Sequence, residues 1–186
     1  MKKDLEKCIE VLKAGGTILY PTDTVWGIGC DATNDKAVKK IFRIKQRHES
    51  KSVIILVAEA VQVKLYAGFP PEAKQLIKQA KSPLTIIYPN ARNLAPSLIA
   101  KNGSVGIRVI KDEFCRQLIN LFGKPIVSTS ANISGENTPG NFAGITNDIK
   151  NQVDYVVNWK QGETQKNNPS RVIKIKPDGT LEVIRA

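Results

Sequence analysis

The stretch FRIKQRHESKSVIILV (residues 42–57) decides the fold, because in it a helix runs through a basic segment into an apolar strand. The helix has an inner face of four apolar residues at helical spacing, with Asn34 or Asp35 as its N-terminal cap: Ala37, Val38, Ile41 and Phe42. SVIILV (52–57) is a short apolar run typical of a buried strand. From Lys36 to Lys51 the chain carries seven Lys or Arg residues and one carboxylate, Glu49. This basic segment indicates either a solvated helix face or a site that binds an anion.

Helix and strand patterns alternate irregularly along the rest of the chain. Helices are predicted over Leu5–Leu12, around 61–66 and 72–80, from Asp112 to Gly123 and near Ile149. Strands are predicted in TILYP (17–21), LTIIY (84–88), VGIRVI (105–110), PIVSTS (125–130) and VDYVVN (153–158), and RVIKIKPDGTLEVIR (171–185) reads as a hairpin around the turn PDG. The pattern predicts a single α/β domain over residues 1–186, with a twisted, mixed, open sheet and flanking helices.

Composition narrows the class of protein. The net charge of +11 favours anionic partners such as nucleotides, RNA or a membrane surface. No apolar run approaches the roughly 20 residues that span a bilayer, and the N-terminus has no secretory signal pattern. The three cysteines are widely spaced, which indicates reduced thiols in a cytoplasmic protein rather than disulfides or a zinc site.

Several familiar kinds of catalytic site are poorly supported. The chain has no Walker-type phosphate loop, and GIGCDA (27–32) is only a weak glycine motif. The single histidine, His48, cannot build a histidine metal site and is expected to be exposed. Asp23 and Asp31 are interpreted as turn and capping residues, since they lie too far apart in sequence to suggest an acid–base pair.

Polar residues instead gather at strand ends and in loops. YPTDTVWG (20–27) and VSTSANISG (127–135) each leave a strand with hydroxyl side chains, which can donate to phosphate or ribose. Arg108 lies within an apolar strand, so it faces either water or a cavity, and in a cavity its fork of donors would suit a carboxylate.

In their order along the chain, these segments resemble the YrdC-like family of L-threonylcarbamoyladenylate synthases over nearly the whole sequence. GGTILYPTDTVWGIGCDA (15–32) is similar to the family's opening strand and threonine-bearing loop. The family's K-x-R element corresponds to Lys45 and Arg47, and its S-x-N element to Ser130 and Asn132. SPLTIIY (82–88) and GIRV (106–109) match two inner strands, and NPSRV (168–172) matches the segment that supplies a further serine, Ser170.

The resemblance implies an enzyme, a nucleotidyltransferase, with a basic concave cavity. It would make threonylcarbamoyl-AMP and pyrophosphate from L-threonine, bicarbonate and ATP, with Mg²⁺ on the ATP phosphates and no dedicated metal cluster in the protein. The product would serve the threonylcarbamoyladenosine modification of tRNA next to the anticodon.

The resemblance also assigns the site residues. Lys45 and Arg47 would be catalytic. The ATP side would be formed by Arg47, Lys51, Ser104, Ser130, Asn132, Thr138 and Arg185. The threonine side would be formed by Thr24, Arg108, Ser128 and Ser170.

The expected partners are separate threonylcarbamoyl-transferase proteins and tRNA or double-stranded RNA, without a membrane. The chain resembles the short bacterial form, without an additional C-terminal domain. It departs from the family pattern where Ser52 and Val53, rather than proline, follow Lys51, and where the arginine strand lacks a proline. Two other functions stay open: an RNA-binding module, for which aromatic residues suited to base stacking are sparse, and a carbamoyl-transfer domain.

Overall fold

The computed structural model of the chain describes residues 1–48, 53–164, 168–176 and 179–186. Its helices are α1 (Lys2–Lys13), α2 (Asp35–Ile44), α3 (Val63–Tyr66), α4 (Pro71–Gln79), α5 (Glu113–Phe122) and α6 (Asn147–Gln152). Its strands are β1 (Ile18–Tyr20), β2 (Gly27–Gly29), β3 (Ile54–Val57), β4 (Leu84–Tyr88), β5 (Val105–Val109), β6 (Ile126–Ser130), β7 (Tyr155–Val156), β8 (Arg171–Ile175) and β9 (Leu181–Arg185). Short 3₁₀ turns lie at Ala60–Gln62, Pro96–Leu98 and Phe142–Gly144.

The strands of the described ranges form one open sheet in the order β7-β1-β2-β6-β3-β5-β4-β8-β9. Three neighbouring pairs are parallel: β1 with β7, β3 with β5, and β4 with β8. The other five pairs are antiparallel. The predicted α/β fold with a mixed open sheet is therefore confirmed. The hairpin of β8 and β9 is confirmed too, although Pro177 and Asp178 of its predicted turn lie outside the described residues.

The strand register separates an apolar row of the sheet from a row in which small and polar residues flank an isoleucine. Ile55 pairs with both Ile107 and Val127, and all three are almost fully buried in the core to which α1 and α5 contribute. One residue earlier on β3, Ile54 pairs with Gly106 and Ser128. Because successive side chains of a strand point to opposite faces, this second row lies on the face away from Ile55. The candidate site forms on that face.

Local sequence signals set the helix ends where they were predicted. Asn34 caps α2 by accepting from the backbone N–H of the second and third residues that follow it, and Asp112 caps α5 through the N–H of Cys115. Gly123 ends α5 with φ +79°, a left-handed conformation that suits glycine. In the described residues, no helix has both the length and the apolar character needed to cross a membrane.

Strand β2 was not predicted, because the GIG of GIGCDA contains a single bulky residue, the fully buried Ile28. Its glycines are required by close packing. A Cβ added at Gly29 would lie 2.6 Å from the ring of Tyr20 and 2.7 Å from the carbonyl oxygen of Val127. A Cβ at Gly27 would lie 3.2 Å from the Ser128 hydroxyl. The segment interpreted as a weak glycine motif is therefore a central strand.

Candidate active site

Most of the predicted site residues line one cavity of about 350 Å³ on the polar face of the sheet. Those that line it are Thr24, Arg47, Ser104, Arg108, Ser128, Ser130, Thr138, Ser170 and Arg185. They come from strands and loops that are distant in sequence, and the sheet register brings them together. The predicted ATP side and the predicted threonine side therefore share one cavity.

Arg108 faces this cavity rather than water, which resolves the alternative left open by its sequence. The residue is 3% exposed. Its Nη1 donates to Thr24 Oγ1 at 3.1 Å, and its Nη2 lies 3.3 Å from Asp23 Oδ1. Among the described residues, the buried Nε has no hydrogen-bond partner. Arg108 is thus fixed at one end of the guanidinium and keeps donor capacity for a carboxylate.

Asp23 lies in a bend beside the cavity without lining it, and it pairs with Arg108, a contact that its interpretation as a turn or capping residue does not include. Its side chain is 15% exposed and forms an ion pair with Arg108 without hydrogen-bond geometry at Oδ1. Burial raises the pKa of Asp23 even though the Arg108 guanidinium and a backbone N–H favour its ionised form. Asp31, in contrast, accepts from the N–H and hydroxyl of Thr33 and pairs with Lys124, so its interpretation as a turn residue holds.

Hydroxyl groups line the predicted nucleotide side. Ser130 ends β6 opposite Gly27, and the Ser104 hydroxyl donates to Asn102 Oδ1 at 2.7 Å. Arg47 lies just after α2 and lines the same cavity, and burial lowers the pKa of its guanidinium. A cation and several neutral donors together suit a polyphosphate.

Lys45 and Asn132 lie next to this cavity but do not line it. The Lys45 ammonium donates to the backbone carbonyls of Ser130 at 2.5 Å and Asn132 at 2.7 Å. The Asn132 amide donates to the carbonyls of Ile133 and Glu136, and its buried Oδ1 has no partner within the described ranges. Both side chains hold the loop after β6. The catalytic role of Lys45 and the ATP contact of Asn132 stay predictions, and Lys51 lies outside the described residues.

Ser170 connects the two sides of the cavity. Its hydroxyl lies 2.8 Å from Thr85 Oγ1, and either group can donate. Arg185 donates to the Ser170 carbonyl from Nε at 2.9 Å and from Nη2 at 2.7 Å. The final strand therefore contributes its arginine to the cavity, and in this structure Arg185 contacts the predicted threonine side.

Comparison with known proteins gives the family. A family model for Sua5, YciO and YrdC proteins, described as "Telomere recombination", matches residues 10–186. The chain belongs to the Sua5/YciO/YrdC family. This agrees with the resemblance seen in the K-x-R and S-x-N elements.

Three relatives illustrate how far the family likeness extends. A putative threonylcarbamoyl-AMP synthase of Methanocaldococcus jannaschii is 33% identical over 187 residues, which cover 98% of this chain and 87% of that protein. The crystal structure of P. abyssi Sua5 complexed with L-threonine matches 91% of this chain with a TM-score of 0.81 and 27% identity. This chain covers 50% of that Sua5 chain. E. coli YciO, at 24% identity, matches the whole chain with a TM-score of 0.86, which speaks for the fold alone.

Sequence reasoning missed uncharged residues that line the cavity, Thr85 and Gly106 among them. Thr85 was seen only as part of the apolar strand LTIIY, although its partner in β5 is Arg108. Gly106 lines the cavity too, and a Cβ there would lie 3.0 Å from the side chain of Ile54. The signal available in the sequence was the alternation of side chains along a strand. If Arg108 points toward the cavity, Gly106, two residues earlier, must lie on the same face of the sheet.

Proposed function

We propose that this family member is an L-threonylcarbamoyladenylate synthase, a nucleotidyltransferase that makes threonylcarbamoyl-AMP and pyrophosphate from L-threonine, bicarbonate and ATP. The observation that carries the proposal is the buried Arg108, which faces a cavity shared with Arg47 and with the hydroxyls of Ser128 and Ser130. A carboxylate site and a polyphosphate site would thus lie side by side. The names of the relatives and the Sua5 complex with L-threonine support the same substrates.

Threonine would bind with its carboxylate on Arg108. Thr24 and Asp23 hold the guanidinium from one side, and Ser128 and Ser170 offer hydroxyls to the rest of the amino acid. Reaction of the threonine amine with bicarbonate releases water and gives a carbamate. The nitrogen–carbon bond forms as a carbon–oxygen bond of bicarbonate breaks; the threonine ammonium gives one proton to the departing hydroxide, which becomes water, and one to solvent, and the carbamate keeps one N–H.

The carbamate oxygen would then attack the α-phosphorus of ATP, and the bond from the α-phosphorus to the bridging oxygen would break to release pyrophosphate. Because the carbamate is already an anion, this step needs alignment and charge neutralisation rather than a side-chain base. Arg47 lines the cavity where the phosphates would lie, with Ser104, Ser130 and Thr138 as neutral donors. Mg²⁺ would enter with the ATP phosphates as part of the substrate. The described residues contain no cluster of three or more His, Cys, Asp or Glu side chains that could hold a metal.

An exposed basic groove on α2 supports the proposed contact with tRNA or double-stranded RNA. Lys36, Lys39 and Arg43 are exposed and border it together with His48, which is exposed as expected. Such a surface suits a phosphate backbone. We place the product in tRNA modification next to the anticodon, with transfer by separate proteins. The three free, buried cysteines fit a cytoplasmic location.

The test is pyrophosphate release by purified protein with MgATP and bicarbonate, with and without threonine. Arg47→Ala and Arg108→Ala are compared with Arg171→Ala, an exposed strand arginine that serves as control. Threonine- and bicarbonate-dependent release, lost in the first two variants and kept in the third, supports the proposal. No release from folded wild-type protein overturns it. Activity with carbamoyl phosphate in place of threonine and bicarbonate would point to carbamoyl transfer instead.

A further inference from the structure

Lys45 joins the end of α2 to the loop after β6 through both its side chain and its backbone. The ammonium donates to the carbonyls of Ser130 and Asn132, and the Lys45 carbonyl accepts from the Ser134 N–H at 2.8 Å. The residue is 1% exposed. We call residues 130–134 the S-x-N loop.

The S-x-N loop is also held from its other side. The Ala131 N–H donates to the carbonyl of Trp26 at 3.1 Å, and the Trp26 ring packs on Phe142 with centroids 4.8 Å apart. Between these two anchors the Ser130 side chain lines the cavity. Removing the Lys45 ammonium would leave two carbonyls without their charged donor, and only the backbone bond to Ser134 would then hold this side of the loop.

Lys45 connects two segments that each contribute a residue to the cavity. Arg47 follows Lys45 by two positions and lines the predicted phosphate side, where Ser130 also lies. A cation that is already bonded to two carbonyls, and that does not line the cavity, is badly placed to reach a phosphate. It is well placed to hold Ser130 at a fixed position relative to Arg47.

We propose that Lys45 is a positioning residue, which fixes the S-x-N loop against the end of α2 and does not touch the reacting groups. The effect of this positioning on the reaction rests on the proposed function. In this proposal Lys45 is a positioning residue in place of the predicted catalytic residue. Burial and the neighbouring Arg47 lower the pKa of Lys45 to about 8, so the ammonium form predominates at neutral pH and supplies both bonds.

The first test uses the wild-type protein, so it does not depend on a variant that folds. Amines are reductively methylated with and without α,β-methylene-ATP and Mg²⁺, and modification is measured by mass spectrometry. Lys45 should stay unmodified in both conditions, whereas the exposed Lys13 is modified in both. Methylation of Lys45 that occurs without nucleotide and is blocked by it would overturn the proposal, because a phosphate-binding amine behaves in that way.

The second test is Lys45→Met, with Lys13→Met as the matched control. Hydrogen exchange at the Ala131 and Ser134 amides should speed up at least about tenfold, and the KM for ATP should rise about tenfold, as expected for a lost charged hydrogen bond. The KM for threonine should change less than about twofold, since no threonine-side hydroxyl is bonded to Lys45. In a Trp159→Phe background, Trp26 emission should shift to the red.

A large fall in kcat with unchanged amide exchange and unchanged Trp26 emission would show that Lys45 acts on the reacting groups. If wild-type protein releases no pyrophosphate, the proposed function fails, and amide exchange and methylation still decide whether Lys45 holds the loop.

Discussion

Replacing Arg108 by methionine should destabilise the protein through the carboxylate that it leaves behind. Asp23 is only 15% exposed, and Arg108 is the cation with which it pairs. Breaking a buried ion pair by removing one partner costs about 3–5 kcal/mol. Because this pair lacks hydrogen-bond geometry at Asp23 Oδ1, we expect the low end, about 3 kcal/mol of unfolding free energy.

The loss of stability in Arg108→Met should depend on pH, and the ionisation of Asp23 sets the direction of this dependence. Burial already raises the pKa of Asp23 above the ordinary value of 3.8, and loss of the guanidinium removes the largest influence that lowers it. Between the unfolded and the folded pKa the native state binds more protons, so stability falls as pH rises. The Arg108→Met variant should therefore be closest to wild type near pH 4 and lose most at neutral pH. Adding Asp23→Asn removes the unpaired charge and should restore much of the loss.

The same substitution should weaken threonine binding. A hydrogen bond to a charged group contributes about 1.5–3 kcal/mol, so we expect the KM for threonine to rise about 10- to 150-fold. The KM for ATP should change little. Urea unfolding at several pH values and threonine-dependent pyrophosphate release give the two quantities, with the exposed Arg171→Met as control. The reasoning fails if Asp23→Asn restores no stability, or if the threonine KM of Arg108→Met stays within about threefold of wild type.

Three further predictions address other parts of the site and fold. Thr24→Val, which removes a hydroxyl bonded to the Arg108 guanidinium, should raise the KM for threonine about fivefold, and an unchanged KM would contradict this contact. Gly29→Ala places a Cβ 2.6 Å from the ring of Tyr20 and should cost about 2–3 kcal/mol in urea unfolding, whereas Gly162→Ala, which meets nothing within 4 Å, should cost little. Because the pKa of Lys45 is lowered to about 8, wild-type stability should gain relative to Lys45→Met as pH rises from 8 toward 10.5, and parallel stability curves would refute that.

The parts of the fold that follow from the sequence are those set by local chemistry. Asn34 and Asp112 cap their helices with their own side chains, and Gly123 supplies a left-handed end. The apolar runs that include Ile55 and Ile107 form central strands, as expected for short runs of apolar, mostly β-branched residues. Such signals lie within a few residues of the element that they specify.

The parts that escaped prediction depend on contacts between distant segments. The requirement for glycine at position 29 is visible only in the fold, where Tyr20 and Val127 lie beside it. Asp23 reads as a turn residue until β5 brings Arg108 to within 3.3 Å. The sequence matches Lys45 to the K-x-R element but shows no partner for its charge. The structure supplies two acceptors from the loop after β6. No local pattern encodes these pairings.

The charges around the cavity explain why the site should be more stable with an anionic substrate bound than without a ligand. Arg47, Arg108 and Arg185 line it, and Asp23 pairs with one of them. Partial burial lowers the pKa values of Arg47 and Arg185, and for Arg185 the charge of Arg108 acts in the same direction. The protein therefore keeps these cations close together, although burial and mutual repulsion both disfavour their charged forms. A carboxylate beside Arg108 and phosphates beside Arg47 would offset both the burial of these cations and their mutual repulsion. The unfavourable free energy of the ligand-free site would therefore strengthen the binding of two anions next to each other.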